Sequence, residues 1–275
     1  LFNSVKIAPG MKMIIQEFTH FSALTVSLLI ITGIAVGFFL ALTGGGGSVM
    51  CVPLLLYLVK MPDTHRVIGT SAIAVAFSAL INLFAHSRKG NVRWATGARI
   101  SLVAVCGALL GAELGKIVSG QYLLLPFSLL MFTVALMMLR KQSPVPGASA
   151  PDRYFAPAIV WGSVLLLGTL AGFMGIGGGF LVVPALVWLF RFPVVEAIAT
   201  SLMVVFAMGI STSASYALAG KVSVVMTSYL IAGGLLGGLV GVAVASRLKN
   251  NARAINAVFS AMLIVMASYM LLKNL

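Results

Sequence analysis

The chain is 275 residues long, 60% hydrophobic and only 8% charged, with a mean hydropathy of +1.11, far more apolar than a water-soluble core can hide. Lipid must be part of its solvent, which excludes an ordinary soluble enzyme or binding domain. The formal charge of +13 would suit nucleic acid, but the Lys and Arg residues fill the gaps between apolar runs instead of forming one stripe, so membrane topology accounts for them and no nucleic-acid partner is implied.

Residues 1–20, with Lys6 and Lys12 and no A-x-A cleavage pattern, read as a lead-in to the first membrane helix and not as a secretory signal. Phe21–Leu42 is long enough to cross the hydrocarbon layer and holds no ionisable side chain. Then come Thr43-Gly44-Gly45-Gly46-Gly47-Ser48 and a short apolar piece, Ser48–Val59, too short to cross comfortably alone. Val67–Phe84 is the next span, with Thr70-Ser71 near its start. A basic loop, Ser87–Arg99, leads to Ile100–Val118, which carries Glu113 and Lys116 near its end, and Gln121–Leu139 follows. Beyond a Pro- and Gly-rich link, Ser143–Pro151, the pattern runs again: Phe155–Phe173, Met174-Gly175-Ile176-Gly177-Gly178-Gly179, the short Phe180–Phe190, Val194–Ala219 with Thr200-Ser201, Val222–Ser246 and Ala254–Leu272. Runs so continuously apolar do not alternate, so an all-α polytopic bundle is predicted and a barrel is not. Cys51 and Cys106 lie inside apolar segments without C-x-x-C spacing and read as small packing residues, with no metal site or cofactor suggested.

The second half echoes the first in order and spacing. The Gly-rich turns each lead to a proline, Pro53 or Pro184; Pro62 matches Pro193, Gly69-Thr70-Ser71 matches Ala199-Thr200-Ser201, and Gly90-Asn91-Val92 matches Gly220-Lys221-Val222. The small-xxx-small ladders Gly107, Gly111, Gly115 and Gly233, Gly237, Gly241 correspond too. The division is therefore a lead-in at 1–20, a first transmembrane repeat at 21–142, a linker at 143–154 and a second repeat at 155–275. Loop charge orients them. The loop with Arg88, Lys89, Arg93 and Arg99 is basic in the first half, whereas its counterpart has only Lys221; the next loop reverses the bias, with Lys116 alone against Arg247, Lys249 and Arg253. Arg140, Lys141 and Arg153 keep the alternation consistent. Equivalent loops thus face opposite sides, the mark of inverted-topology repeats, each with an interrupted or re-entrant helix pair and a site expected at their interface.

Unwound backbone inside a bilayer is costly unless it lines a protein-enclosed or wet cavity. Gly44, Gly45, Gly46, Gly47 and Ser48 in one turn, and Gly175, Gly177, Gly178 and Gly179 in the other, would aim amides and the positive end of a helix dipole at an anion. The competing reading is that these glycines only let helices cross tightly. Thr70, Ser71, Thr200 and Ser201 are candidates for the same ligand, or else bond their own helical turns. Asn82, Ser211, Thr212, Ser213 and Ser215 are secondary candidates. Glu113 reads as paired with Lys116, Glu196 with Arg191, and His65 and His86 as solvated residues at helix margins.

Paired Gly-rich turns leading to proline, each followed by a Thr-Ser helix, resemble the TauE/SafE-type sulfite exporters over nearly the whole chain, Phe21–Leu272. The resemblance implies a multi-pass permease of the bacterial inner membrane for sulfite, sulfoacetate, thiosulfate or a related sulfur-containing anion, with the proton gradient as a candidate driving force and no organic cofactor. The second turn, with Ile176 and Gly179 in place of Gly45 and Ser48, departs from the first, so the site need not be symmetric. An intramembrane enzyme would need a Ser–His pair, paired Asp residues or a metal cluster in the spans, and none is seen. A membrane scaffold without transport activity is the alternative, needing the ladders but not the paired breaks.

Overall fold

The computed structural model describes residues 22–139, 156–175, 178–247 and 252–274. The lead-in 1–20, the linker 143–154, Gly177, and Arg140, Lys141, Arg153 and Lys249 of the orientation argument lie outside the described residues. Among the described residues, ten α-helices and no strand are present: α1 (Ala23–Thr43), α2 (Gly46–Pro53, drawn out by a π turn, Leu54–Leu58), α3 (Thr64–Ser87), α4 (Trp94–Ile117), α5 (Gly120–Leu139), α6 (Pro157–Met174), α7 (Gly179–Trp188), α8 (Val194–Leu218), α9 (Val224–Arg247) and α10 (Ala252–Asn274). Six of them, α1, α3, α4, α6, α8 and α9, are long and apolar enough to cross a membrane.

Local chemistry sets the ends. Ser22 caps α1 by accepting from the Thr25 amide at 3.2 Å, and Asp63 caps α3 by accepting from His65 and Arg66 at 3.0 and 3.2 Å. α1 and α6 both stop at a glycine in the left-handed region, Gly44 (φ 72°) and Gly175 (φ 66°), a conformation a side chain would strain. The short helices begin earlier than the sequence suggests, at Gly46 and Gly179 rather than Ser48 and Phe180, because the glycines themselves enter the first turn. Pro53 supplies no amide, and the helix widens beyond it, with the Val59 amide donating to Leu54 and Met61 to Leu55. α7 ends on the matching long bond, Phe192 to Leu186. Lys60 and Arg191, at equivalent positions before those closing amides, both have positive φ.

Packing exchanges helices between the halves. The most extensive contacts join α1 to α9 and α6 to α4, while α3 lies on its counterpart α8 and α5 on α10. In each exchanged pair small residues face one another: Gly37 abuts Gly234, and Gly168 and Gly172 abut Ala104 and Ala108, so closely that a methyl group would overlap backbone. Leu102, Leu114, Ile117, Leu166 and Leu236 remain exposed, as side chains turned to lipid are expected to be. Cys51 is buried as predicted, but Cys106 is exposed and is not a packing residue.

Candidate functional site

The two breaks meet. Gly45 lies against Gly179 so tightly that a Cβ on either would overlap the other's backbone, joining the start of α2 to the start of α7. Gly44 rests on Ile198, Gly175 on Ile68, and Gly178 between Ala171 and Met208. The first turn of α2 runs beside the last turns of α1, with Gly47 against the backbone of Val36, Phe39 and Leu40. The expectation that the breaks share one place holds for the described residues, but the open pocket imagined between them is not what this contact provides: it is closed, backbone on backbone. A slender apolar cleft of about 10 Å³ lies nearby, lined by Ile100, Val164, Val182, Val204 and Met208 among others, and its surface offers nothing to an anion.

The polar residues of the breaks are largely engaged. Thr43, which the sequence reading did not single out, accepts from the Gly46 amide at 2.9 Å and so satisfies the first free amide of α2. The Ser48 hydroxyl donates back to Gly45 at 2.6 Å. Ser201 donates to the Gly44 carbonyl at 2.6 Å and Ser71 to that of Gly175 at 3.5 Å, each also bonding its own helix. Each Thr-Ser pair thus ties its helix to the break of the opposite half. The threonines complete the tie: Thr70 accepts from the Ser223 amide at 3.1 Å and Thr200 from that of Arg93 at 3.2 Å, equivalent positions ahead of α9 and α4. Sequence could show the hydroxyls but not these amides, whose partners lie 153 and 107 residues away.

An ion pair flanks each tie. Lys221 donates to Asp63 at 2.9 Å, and Arg93 to Glu196. The predicted Arg191–Glu196 pair is therefore wrong: Arg191 ends the α7 turn with positive φ, while Arg93, brought across by Thr200, reaches Glu196 and stacks 4.6 Å from the Phe192 ring centroid. Partial burial pushes the Asp63 carboxyl up, but the Lys221 hydrogen bond and charge, with the Arg66 and His65 amides, more than offset this and hold it below the usual carboxylate range. Glu113 does pair with Lys116, at 2.7 Å, and accepts from Ser215 at 2.9 Å. His86 is buried, not solvated, and lies beside the Ala41 backbone of α1. Of the secondary candidates, Ser213 donates to Gly69 at 3.2 Å and Ser211 to Met208 at 2.8 Å. Asn82 and Thr212 are buried with no hydrogen-bond partner.

The sequence model for "Sulfite exporter TauE/SafE" matches residues 29–270. A probable membrane transporter protein of Xylella fastidiosa (strain Temecula1) is 41% identical over 255 residues, covering 91% of this chain and 98% of its own length. The probable membrane transporter protein YunE of Bacillus subtilis is 27% identical, over 81% and 89%, and MJ0441 of Methanocaldococcus jannaschii is 28% identical, over 66% and 68%. No solved structure matches the chain. With apolar helices of spanning length and a match running nearly end to end, the chain is a multi-pass membrane protein, placed in bacteria in the inner membrane, and it belongs to the sulfite exporter TauE/SafE family of membrane transporters.

Proposed function

We propose that the protein moves a small sulfur-containing oxyanion, such as sulfite, sulfoacetate or thiosulfate, across the membrane by alternating access around the crossing of Gly44–Ser48 and Gly175–Gly179. The observation that carries this reading is the backbone contact of Gly45 with Gly179, where two short helices begin head to head. Their amide ends present positive dipole to one point, and fixed amides replace the hydration an anion loses on leaving water. The exchanged pairing of α1 with α9 and α6 with α4 supports inverted repeats, which rock about a central site. Since the crossing is closed, a guest enters only when the two turns part. Gly44, Gly45, Gly46, Gly47 and Ser48 contact the anion from one side, and Gly175, Gly177, Gly178 and Gly179 from the other. Thr70, Ser71, Thr200 and Ser201 hold the turns in place, with their hydroxyls released to the anion as the ties loosen.

Flux tests the reading. Purified protein in liposomes should accumulate labelled sulfite or thiosulfate under an imposed pH gradient, faster than empty vesicles. Equal leak in both would count against transport and leave a scaffold.

A further inference from the structure

Among the described residues several buried polar side chains lack a hydrogen-bond partner, Thr32, Ser101 and Ser260 among them, and four others fall at two equivalent positions of the halves. By the match of Thr70-Ser71 with Thr200-Ser201, Asn82 corresponds to Thr212 and His86 to Tyr216. All four are at least nine-tenths buried: Asn82 is 1% exposed, His86 9%, Thr212 and Tyr216 0%. Neither side-chain atom of the Asn82 amide and neither the Thr212 nor the Tyr216 hydroxyl makes a hydrogen bond, and the His86 ring has at most the Ala41 backbone in reach, outside good hydrogen-bond geometry.

An apolar side chain at any of these places would be cheaper for folding, because a buried group that lost its water without gaining a partner costs free energy. One orphan in a membrane helix is unremarkable. The same two positions orphaned in both halves, on helices α3 and α8 that pack on one another, point to a use that the folded chain alone does not satisfy.

Their placement says what that use is. Within each pair the members are four residues apart, one above the other on a single helix face. His86 lies beside Ala41 in the last turn of α1, which ends at Gly44. A Cβ on Gly115 would sit 2.9 Å from the Tyr216 hydroxyl and 2.8 Å from the Phe173 carbonyl, in the last turn of α6, which ends at Gly175. Each polar pair therefore flanks the helix that runs into a break. α9 leaves room for the Asn82 amide with Gly238, where a Cβ would stand 2.7 Å from Oδ1.

The four groups are an amide, an imidazole and two hydroxyls, each able to donate a hydrogen bond and none bearing a fixed negative charge. A cation stands near each outer end: Lys89 acts on His86, and Lys116 reaches the carbonyl of Ser215 beside Tyr216 at 3.5 Å. Glu113 faces the Tyr216 end but is held by Lys116 and Ser215. The carbonyls of Gly44 and Gly175, just past α1 and α6, accept from the hydroxyls of Ser201 and Ser71.

We infer that Asn82 with His86, and Thr212 with Tyr216, are two sets of substrate-contacting donors that pass the oxyanion between the glycine crossing and the two ends of the pathway. The inference rests on the transport reading above and extends it to residues away from the glycine turns. In the closed conformation both sets are packed over, and each is uncovered as its own half parts from α9 or α4.

Tyr216→Phe, Thr212→Val and Asn82→Leu test this, since each removes groups the fold does not use. In proteoliposomes the KM for labelled sulfite should rise about fivefold or more in each variant. The thermal midpoint in detergent should stay unchanged or climb. An unchanged KM in Tyr216→Phe, which deletes a single oxygen and so leaves folding intact, overturns the inference while wild-type flux still upholds transport. A lowered midpoint with unchanged KM overturns it too, by returning the groups to the fold. Absence of saturable flux of sulfite, thiosulfate and sulfoacetate alike in the wild type removes the transport reading, and this one falls with it.

Discussion

Thr200 and Thr70 show how a hydroxyl in a membrane helix acquires a partner far along the chain. Each accepts from an amide of the other half, Arg93 or Ser223, and removing the acceptor strands that amide. Thr200→Val should cost about 1–2 kcal/mol, read as a lower thermal midpoint in detergent. Thr200→Ser, which keeps the acceptor, should recover most of it; equal losses in both would deny the bond its role. Asp63 makes a pH-dependent prediction. Its carboxyl is held below its ordinary value in the folded chain, so the stabilisation exists above the unfolded carboxylate pKa and disappears as pH falls through the folded one. Both side chains of the pair are about 40% exposed, which limits its worth to under about 1 kcal/mol. Lys221→Met should therefore lower the midpoint slightly at neutral pH and make no difference in strong acid.

At the scale of elements, the sequence was informative about breaks and poor about partners. Glycine followed by a short apolar run and a proline marks a helix stop whatever surrounds it, and both stops are where Gly44 and Gly175 placed them. The ladders announce close approach, but small residues carry no mark of what approaches. That Gly107 and Gly111 pack on α6, and Gly237 on α1, came only from the structure. The same limit explains Glu196, which pairs with Arg93 and not with its neighbour in sequence, Arg191, and His86, whose place near a helix end suggests water where the fold buries it. Because Gly111 faces the Thr169 carbonyl with no room for a methyl group, Gly111→Ala should force α4 and α6 apart and cost about 1–3 kcal/mol. Gly162→Ala, on a helix face with open space beside it, should be tolerated, and thermal unfolding of the two variants separates a packing effect from a propensity effect.

For the whole molecule, the exchange of helices between halves means that neither half buries its own helix faces. α1 needs α9, α6 needs α4, and the hydroxyl ties of Ser71 and Ser201 each reach the opposite break. Under the proposed alternating cycle, these ties would carry motion of one half to the turn of the other. The ties are unequal, 2.6 Å from Ser201 to Gly44 and 3.5 Å from Ser71 to Gly175.

Transport as proposed depends on the meeting of Gly45 and Gly179. Labelled sulfite uptake by proteoliposomes carrying Gly45→Ala, compared with wild type at equal inserted protein, tests it most directly. The added methyl group has no place in the closed crossing, so uptake should fall to the level of empty vesicles while the chain still inserts and unfolds cooperatively. Wild-type uptake by that variant would show that the anion crosses somewhere else.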